Sequence, residues 1–393
     1  MTYQELKAEE NQYVMNTYGR FAIALDHGQG STVWDVEGKK YIDFTSGIGV
    51  CSLGYNNEAI INAITEQAHK LMHVSNLFTT APMIQVAKQL CTRTGMGKVF
   101  FANSGAEANE GMIKLARKYS FDKYGEGRAD IVTLNNSFHG RTVTTLKATG
   151  QDKFHQYFFP FTDGFRYADA NDFASIQANT DEHTCAIMME LIQGEGGVLP
   201  LDPKFVQQVA AFCKEKDLLL LIDEVQTGIG RCGELFCFQK YGIQPDVVSM
   251  AKGLGGGVPI GAVMAAPTCD TVLGPGTHAT TFGGTPLVCS SANVVLQTID
   301  DAFLRQVEEK GAYLKKEILA MGSDKVKDVR GMGLMLGIIV DPAQRADIVA
   351  KMMDKGALVL TAGTDAIRLL PPLVITKEEM DEGLAIFREA LCE

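Results

Sequence analysis

The stretch "LLLLIDEVQTG" (residues 218–228) carries five apolar residues, Leu218 to Ile222, directly into Asp223 and Glu224. A run this short and continuous, rather than alternating, reads as a strand buried on both faces, and such strands belong to parallel sheets covered by helices. Its surroundings repeat the theme. "KVFFAN" (98–103) leads into the helix-period stretch "SGAEANEGMIKLARKYS" (104–120), "CAIMMEL" (185–191) into "PKFVQQVAAFCKEKD" (203–217), and "DVVSMA" (246–251) closes the series. The alternation predicts a large α/β domain over residues 50–290.

Outside that region the pattern changes. "GSTVWDVEGKKYIDFTSG" (30–47) reads as a hairpin turning at Glu37-Gly38. Helices at about 291–321 lead to "VRGMGLMLGIIV" (329–340), "IVAKMMDKGALVL" (348–360) and "AIRLLPPLVI" (366–375), with a closing helix at 377–391. We expect residues 1–49 and 291–393 to join as one small α+β domain, leaving a cleft beside the large one.

Composition excludes several classes of function. The net charge of −11 and the lack of clustered Lys and Arg argue against a nucleic-acid surface. No apolar run approaches the roughly 18 residues of a membrane span. The first residues, "MTYQELKAEENQYVMNTYGR", are polar and acidic rather than signal-like, so the expected location is cytoplasmic. Nine cysteines without a CxxC pair read as buried free thiols, and the closest pair, Cys232 and Cys237, has no zinc-site spacing, so no metal is expected.

Three motifs carry chemistry. Asp223 stands at the carboxyl end of a buried strand, where open α/β sheets bind ligands, although an acid there also suits a turn cap. Ser104 and Glu107 have the spacing of a capping box, and Gly105 and Ala106 then form a first turn of little bulk with free N–H groups: a ready anion site, or an ordinary capped helix. In "SMAKGLGGGVPIGAV" (249–263), Lys252 follows the strand "DVVSM" and precedes Gly253, Gly255, Gly256 and Gly257. Such glycines let backbone pass close to a bound molecule. A lysine desolvated in a cleft becomes an amine nucleophile for an aldehyde, while a lysine at a strand end can equally snorkel to water. One explanation covers all three: an aldehyde cofactor bound by its phosphate, with a ring nitrogen held by a carboxylate and an amine to carry the aldehyde. That cofactor is pyridoxal 5′-phosphate.

With "SGAEANE", "FHGRT", "IQGEGGV", "IDEVQTGIGRCG", "DVVSMAKGLGGGVPIGA", "TTFGGTPL" and "LLPPLVIT" in order along nearly the whole chain, the sequence resembles the class III aminotransferases of the fold-type I pyridoxal-phosphate enzymes. Within them, "GIGVCSLGY" and "FHGRT" are most similar to the acetylornithine branch of arginine biosynthesis. The resemblance implies a mostly parallel seven-stranded sheet between helices and a homodimer with a shared active site. It implies that Lys252 forms the Schiff base and moves the proton, that Asp223 pairs with the pyridinium, and that Gln226 approaches the phenolic oxygen. Phe138 stacks on the ring in the same reading, and Gly105 and Ala106 hold the phosphate with Thr281 of a second subunit. Ser104, Glu224 and Val225 complete the cofactor set.

For substrates, the resemblance implies that Arg141 binds the donor's α-carboxylate and that Thr280 and Tyr18 stand beside the substrate. Arg368 binds 2-oxoglutarate, and Glu195 masks Arg368 during the other half-reaction. The implied reaction moves the δ-amino group of N2-acetylornithine to 2-oxoglutarate, giving the semialdehyde and glutamate. Ornithine, succinylornithine, 4-aminobutyrate and succinyldiaminopimelate are alternative donors for the same residues. A glutamate semialdehyde aminomutase and a non-catalytic nucleotide-binding protein stand further off. The sequence departs from the family pattern at Leu191, Cys51 and Thr285.

Overall fold

A computed structural model describes residues 1–392. Its central sheet has seven strands in the order Lys98–Ala102, Gly261–Ala265, Val247–Met250, Leu219–Asp223, Thr184–Met189, Asp130–Leu134, Phe165–Ala168. Every neighbouring pair from Val247–Met250 to Phe165–Ala168 is parallel, and only Gly261–Ala265 runs against both its neighbours. The apolar run ending in Asp223 is the central strand, and all five residues of Leu219–Asp223 are buried. So are all six of Thr184–Met189. Helices cover the sheet because each presents one apolar stripe. Pro203–Lys216, for example, buries Phe205, Val206, Val209, Phe212 and Cys213.

Both ends of the chain build smaller sheets. Thr32–Asp35 and Lys40–Asp43 pair antiparallel around the turn at Gly38, whose φ of +85° suits glycine. Lys40–Asp43 then takes a parallel partner from the far end, Ile42 lying opposite Ala357. A second sheet orders Val326–Met332, Met335–Val340, Ala366–Leu369 and Leu360–Ala362, all antiparallel. The buried guanidinium of Arg231 joins the large sheet's loops to these parts, donating to the carbonyls of Leu334 (3.0 Å) and Pro371 (2.6 Å).

The helix Pro286–Thr298 starts at a proline suited to a first turn and packs on Glu58–Lys70 and Ala81–Thr94. One expectation needs correction. The free cysteines are not all buried: Cys51 and Cys91 are half-buried and Cys392 is exposed. Among the described residues no helix is long and apolar enough to cross a membrane, and no cluster of His, Cys, Asp and Glu could hold a metal.

Candidate active site

At the carboxyl edge of the parallel strands lies a cavity of about 630 Å³. Strand ends deliver its polar wall: Asn103 and Ser104 follow Lys98–Ala102, Phe138 to Arg141 follow Asp130–Leu134, Glu190 follows Thr184–Met189, Asp223 ends Leu219–Asp223, and Lys252 follows Val247–Met250. This is the edge where open α/β sheets gather ligands, because the parallel strands end there in loops that can carry functional side chains.

Asp223 is 4% exposed yet fully satisfied. Its Oδ2 accepts from Asn109 Nδ2 (2.7 Å) and His139 Nδ1 (2.8 Å), and its Oδ1 from the Val225 N–H (3.0 Å). Three donors on one buried carboxylate fix its orientation at the cavity wall. Lys252 stands close by with φ +46°, a backbone region that non-glycine residues seldom adopt. Strain of this kind collects at functional sites. Its amine makes no hydrogen bond among the described residues, and burial pushes its pKa down, so a larger share of it is neutral and nucleophilic.

At the opposite wall, Ser104 caps the helix Gly105–Tyr124, its Oγ accepting from the Glu107 N–H at 3.2 Å. Glu107 does not close the expected box on Ser104; its carboxylate takes the N–H of Asn103 instead, at 2.7 Å. The N–H groups of Gly105 and Ala106 have no acceptor among the described residues and sit at the positive end of a 20-residue helix. A Cβ at Gly105 would come within 2.7 Å of Val225 Cγ1, so glycine is what lets the helix start lie against that wall.

The cavity thus brings together Tyr18, Ser104, Gly105, Ala106, Phe138, Arg141, Asp223, Val225, Gln226 and Lys252. Glu195 and Arg368 stand behind Gln226. Arg368 Nη1 reaches Glu195 Oε1 at 2.6 Å and Gln226 Oε1 at 3.1 Å. Burial raises the Glu195 carboxyl, but the adjacent guanidinium more than offsets it and leaves the group below its ordinary value. Gly194 makes the arrangement possible, since a Cβ there would lie 2.4 Å from Gln226 Oε1.

Other expected residues lie elsewhere. Glu224 points away from the cavity, taking the Thr227 hydroxyl (2.5 Å) and the Phe238 N–H (2.7 Å); burial pushes its pKa up to about 7. Thr280 is half-buried, accepting from Asn103 Nδ2 at 3.1 Å, while Thr281 is exposed, and neither lines this chain's own cavity. The glycine run does not mainly clear space for a ligand. Gly253 and Gly255 face Ser52 and Ile260, Gly256 faces Ile60 and Val295, and only Gly257 lines the cavity.

Three residues were not anticipated: Asn109 and His139, which hold Asp223, and Glu190. Glu190 accepts from the Phe138 N–H (2.9 Å) and the Gly194 N–H (3.4 Å), and burial, then the charge of Asp223, raises its carboxyl well above the ordinary range.

Known proteins share this architecture. The family model for class III aminotransferases matches residues 13–391. An acetylornithine aminotransferase of Haemophilus ducreyi is 48% identical over the whole of both chains, and one of Caldanaerobacter subterraneus is 48% identical over 98% of each. Among solved structures, an ornithine aminotransferase of Toxoplasma gondii superposes with a TM-score of 0.95 at 31% identity, covering 100% of this chain and 95% of that one. An N-acetylornithine aminotransferase of Stenotrophomonas maltophilia gives 0.85 at 35% identity, over 98% of each. With a family model spanning nearly the entire chain and relatives this similar at full length, the chain belongs to the class III aminotransferases.

Proposed function

We propose that the protein transfers the δ-amino group of N2-acetylornithine to 2-oxoglutarate with pyridoxal 5′-phosphate as cofactor. The observation that carries this reading is the convergence, on one cavity, of an unpaired amine at Lys252, a triply bonded carboxylate at Asp223 and the free N–H groups of a helix start. The residues fit the cofactor: an anion site for its phosphate, a buried carboxylate for its ring nitrogen and an amine for its aldehyde. When bound, the cofactor supplies an electron-poor ring that takes up the electrons of the C–H bond broken beside the amino group.

The chain's own residues do the rest. Gly105 and Ala106 would hold the phosphate through their N–H groups, and Asp223 would pair with the ring nitrogen. Phe138, its backbone tied to Glu190, would stack on the ring. Lys252 Nζ, eased toward neutrality by burial, would take the proton from the substrate carbon and pass it to the carbon that carried the cofactor's aldehyde. Arg141, exposed at the cavity wall, takes the donor's α-carboxylate, and Arg368 takes the acceptor's once Glu195 moves aside. A second copy completes the site. Exposed Thr281 and Phe282 (60%), with Leu77 (84%) and Phe78 (68%), are the surface that such a copy would cover. The setting we propose is cytoplasmic.

The donor is tested by mixing the yellow holoenzyme with each candidate alone and timing the loss of the yellow band. N2-acetylornithine reacts fastest if the reading holds; faster reaction with ornithine or 4-aminobutyrate reassigns the donor. Gly105→Ala tests the phosphate wall. Its new Cβ presses on Val225, and the expected result is about tenfold weaker cofactor binding in an absorbance titration of the apoenzyme, the cost of modest overpacking.

A further inference from the structure

Arg141 makes no hydrogen bond or ion pair among the described residues, although it stands exposed at the cavity wall. Two aromatic rings hold it. Its guanidinium carbon lies 5.5 Å from the centroid of Phe138 and 4.2 Å from that of Phe154. The two rings meet edge to face, 6.1 Å apart at 72°. Phe138 lines the cavity and Phe154 does not, so Phe154 backs the guanidinium from outside.

The backbone keeps this backing in place. Phe154 closes the short turn Asp152–Phe154, its N–H donating to the Gln151 carbonyl at 3.0 Å. Gln151 Nε2 donates to the Ser137 carbonyl (2.9 Å), and the Gly150 N–H to Ser137 Oγ (3.0 Å), which ties the turn to the segment that carries Phe138. A second cation, Lys153 Nζ, lies 4.9 Å from the Phe154 centroid. An arginine without hydrogen bonds has many rotamers, and the two ring contacts select among them, that with Phe154 being the closer.

We infer that Phe154 is a positioning residue for the amino donor, holding Arg141 by a cation–π contact so that its guanidinium is set for the donor's α-carboxylate. The inference rests on the proposed role of Arg141. It predicts an effect on one substrate only, because Arg368, proposed for 2-oxoglutarate, is held by Glu195 and Gln226 without aromatic help.

The test measures steady-state rates of the holoenzyme with each substrate varied. Phe154→Leu raises the donor KM, measured with N2-acetylornithine, about fivefold, the worth of an exposed cation–π contact, while kcat and the acceptor KM stay unchanged. Phe154→Tyr, which keeps the ring, restores the wild-type value. Phe154→Met gives the leucine result with a side chain nearer in volume, should leucine disturb folding. N-acetyl-1,4-diaminobutane, the donor without its carboxylate, reacts equally with wild type and Phe154→Leu. In an Arg141→Ala background, Phe154→Leu has no further effect. An equal rise for both substrates, or a full effect of Phe154→Leu without Arg141, overturns the inference while leaving the carboxylate site intact. An unchanged donor KM in Arg141→Ala alone removes the carboxylate site itself, and the inference with it.

Discussion

Lys252→Ala will lose transaminase activity by about 10⁴-fold or more, the upper range of what a positioned proton-transfer group supplies, because no other amine among the described residues lines the cavity. Arg141, at the cavity wall, and Arg368, behind Gln226, carry guanidiniums, which offer hydrogen-bond donors and no acceptor. The fold should hold, since the amine makes no hydrogen bond that the rest of the chain depends on. Alanine at this position still has to adopt the positive φ, so the melting temperature is expected to move only slightly. Two measurements check it: the yellow band of the purified protein, and the pyridoxyl mass left after borohydride on the peptide containing position 252. Activity close to wild type, or that mass on a different residue, would remove the chemical role assigned to Lys252.

Asp223→Asn is expected to lower kcat by about 10²–10³-fold, as removal of a preorganised charge does in other active sites. The carboxylate is nearly inaccessible and accepts three hydrogen bonds, one on Oδ1 and two on Oδ2. An amide has one accepting oxygen, so its NH2 must face either the Val225 N–H or the pair of donors from Asn109 and His139. In either orientation a donor is left against a donor in a buried place. The neutral side chain also no longer keeps a proton on the ring nitrogen. Because the loss concerns the ring rather than substrate capture, the acceptor KM should change little while the donor half-reaction, followed by stopped-flow absorbance, slows in step with kcat. An unaltered half-reaction rate would show that the charge at 223 has no part in the chemistry.

The central strand, its two acids and the lysine were legible because buried parallel strands announce themselves as short apolar runs, and whatever polar residue ends such a run stands at the ligand-binding edge. The same rule applied to "CAIMMEL" points to Glu190, whose position matches that of Asp223 on the neighbouring strand. Glu224 shows the limit of the rule. Side chains alternate along extended backbone, so the second of two adjacent acids faces the other way, here toward Thr227 and Phe238. Asn109 had a weak signal as a polar residue on the buried face of the helix Gly105–Tyr124. The glycine run misled because the neighbours that forbid a Cβ at Gly256, Ile60 and Val295, come from helices distant in sequence, and only the assembled chain brings them together. The aromatic backing of Arg141 was hidden for the same reason. Spacing gives no hint that the turn after Gly150 folds back onto Ser137.

The parallel pairing of Ile42 with Ala357 also constrains the order of events during synthesis. The partners are separated by roughly 300 residues, and loop closure over such a span comes late and slowly. All seven strands of the central sheet emerge from the ribosome before the segment that completes the amino-terminal hairpin's sheet. Until Ala357–Leu358 is made, therefore, the edge of Lys40–Asp43 that later meets it stays open to mispairing, a stage at which chaperones would protect the nascent chain.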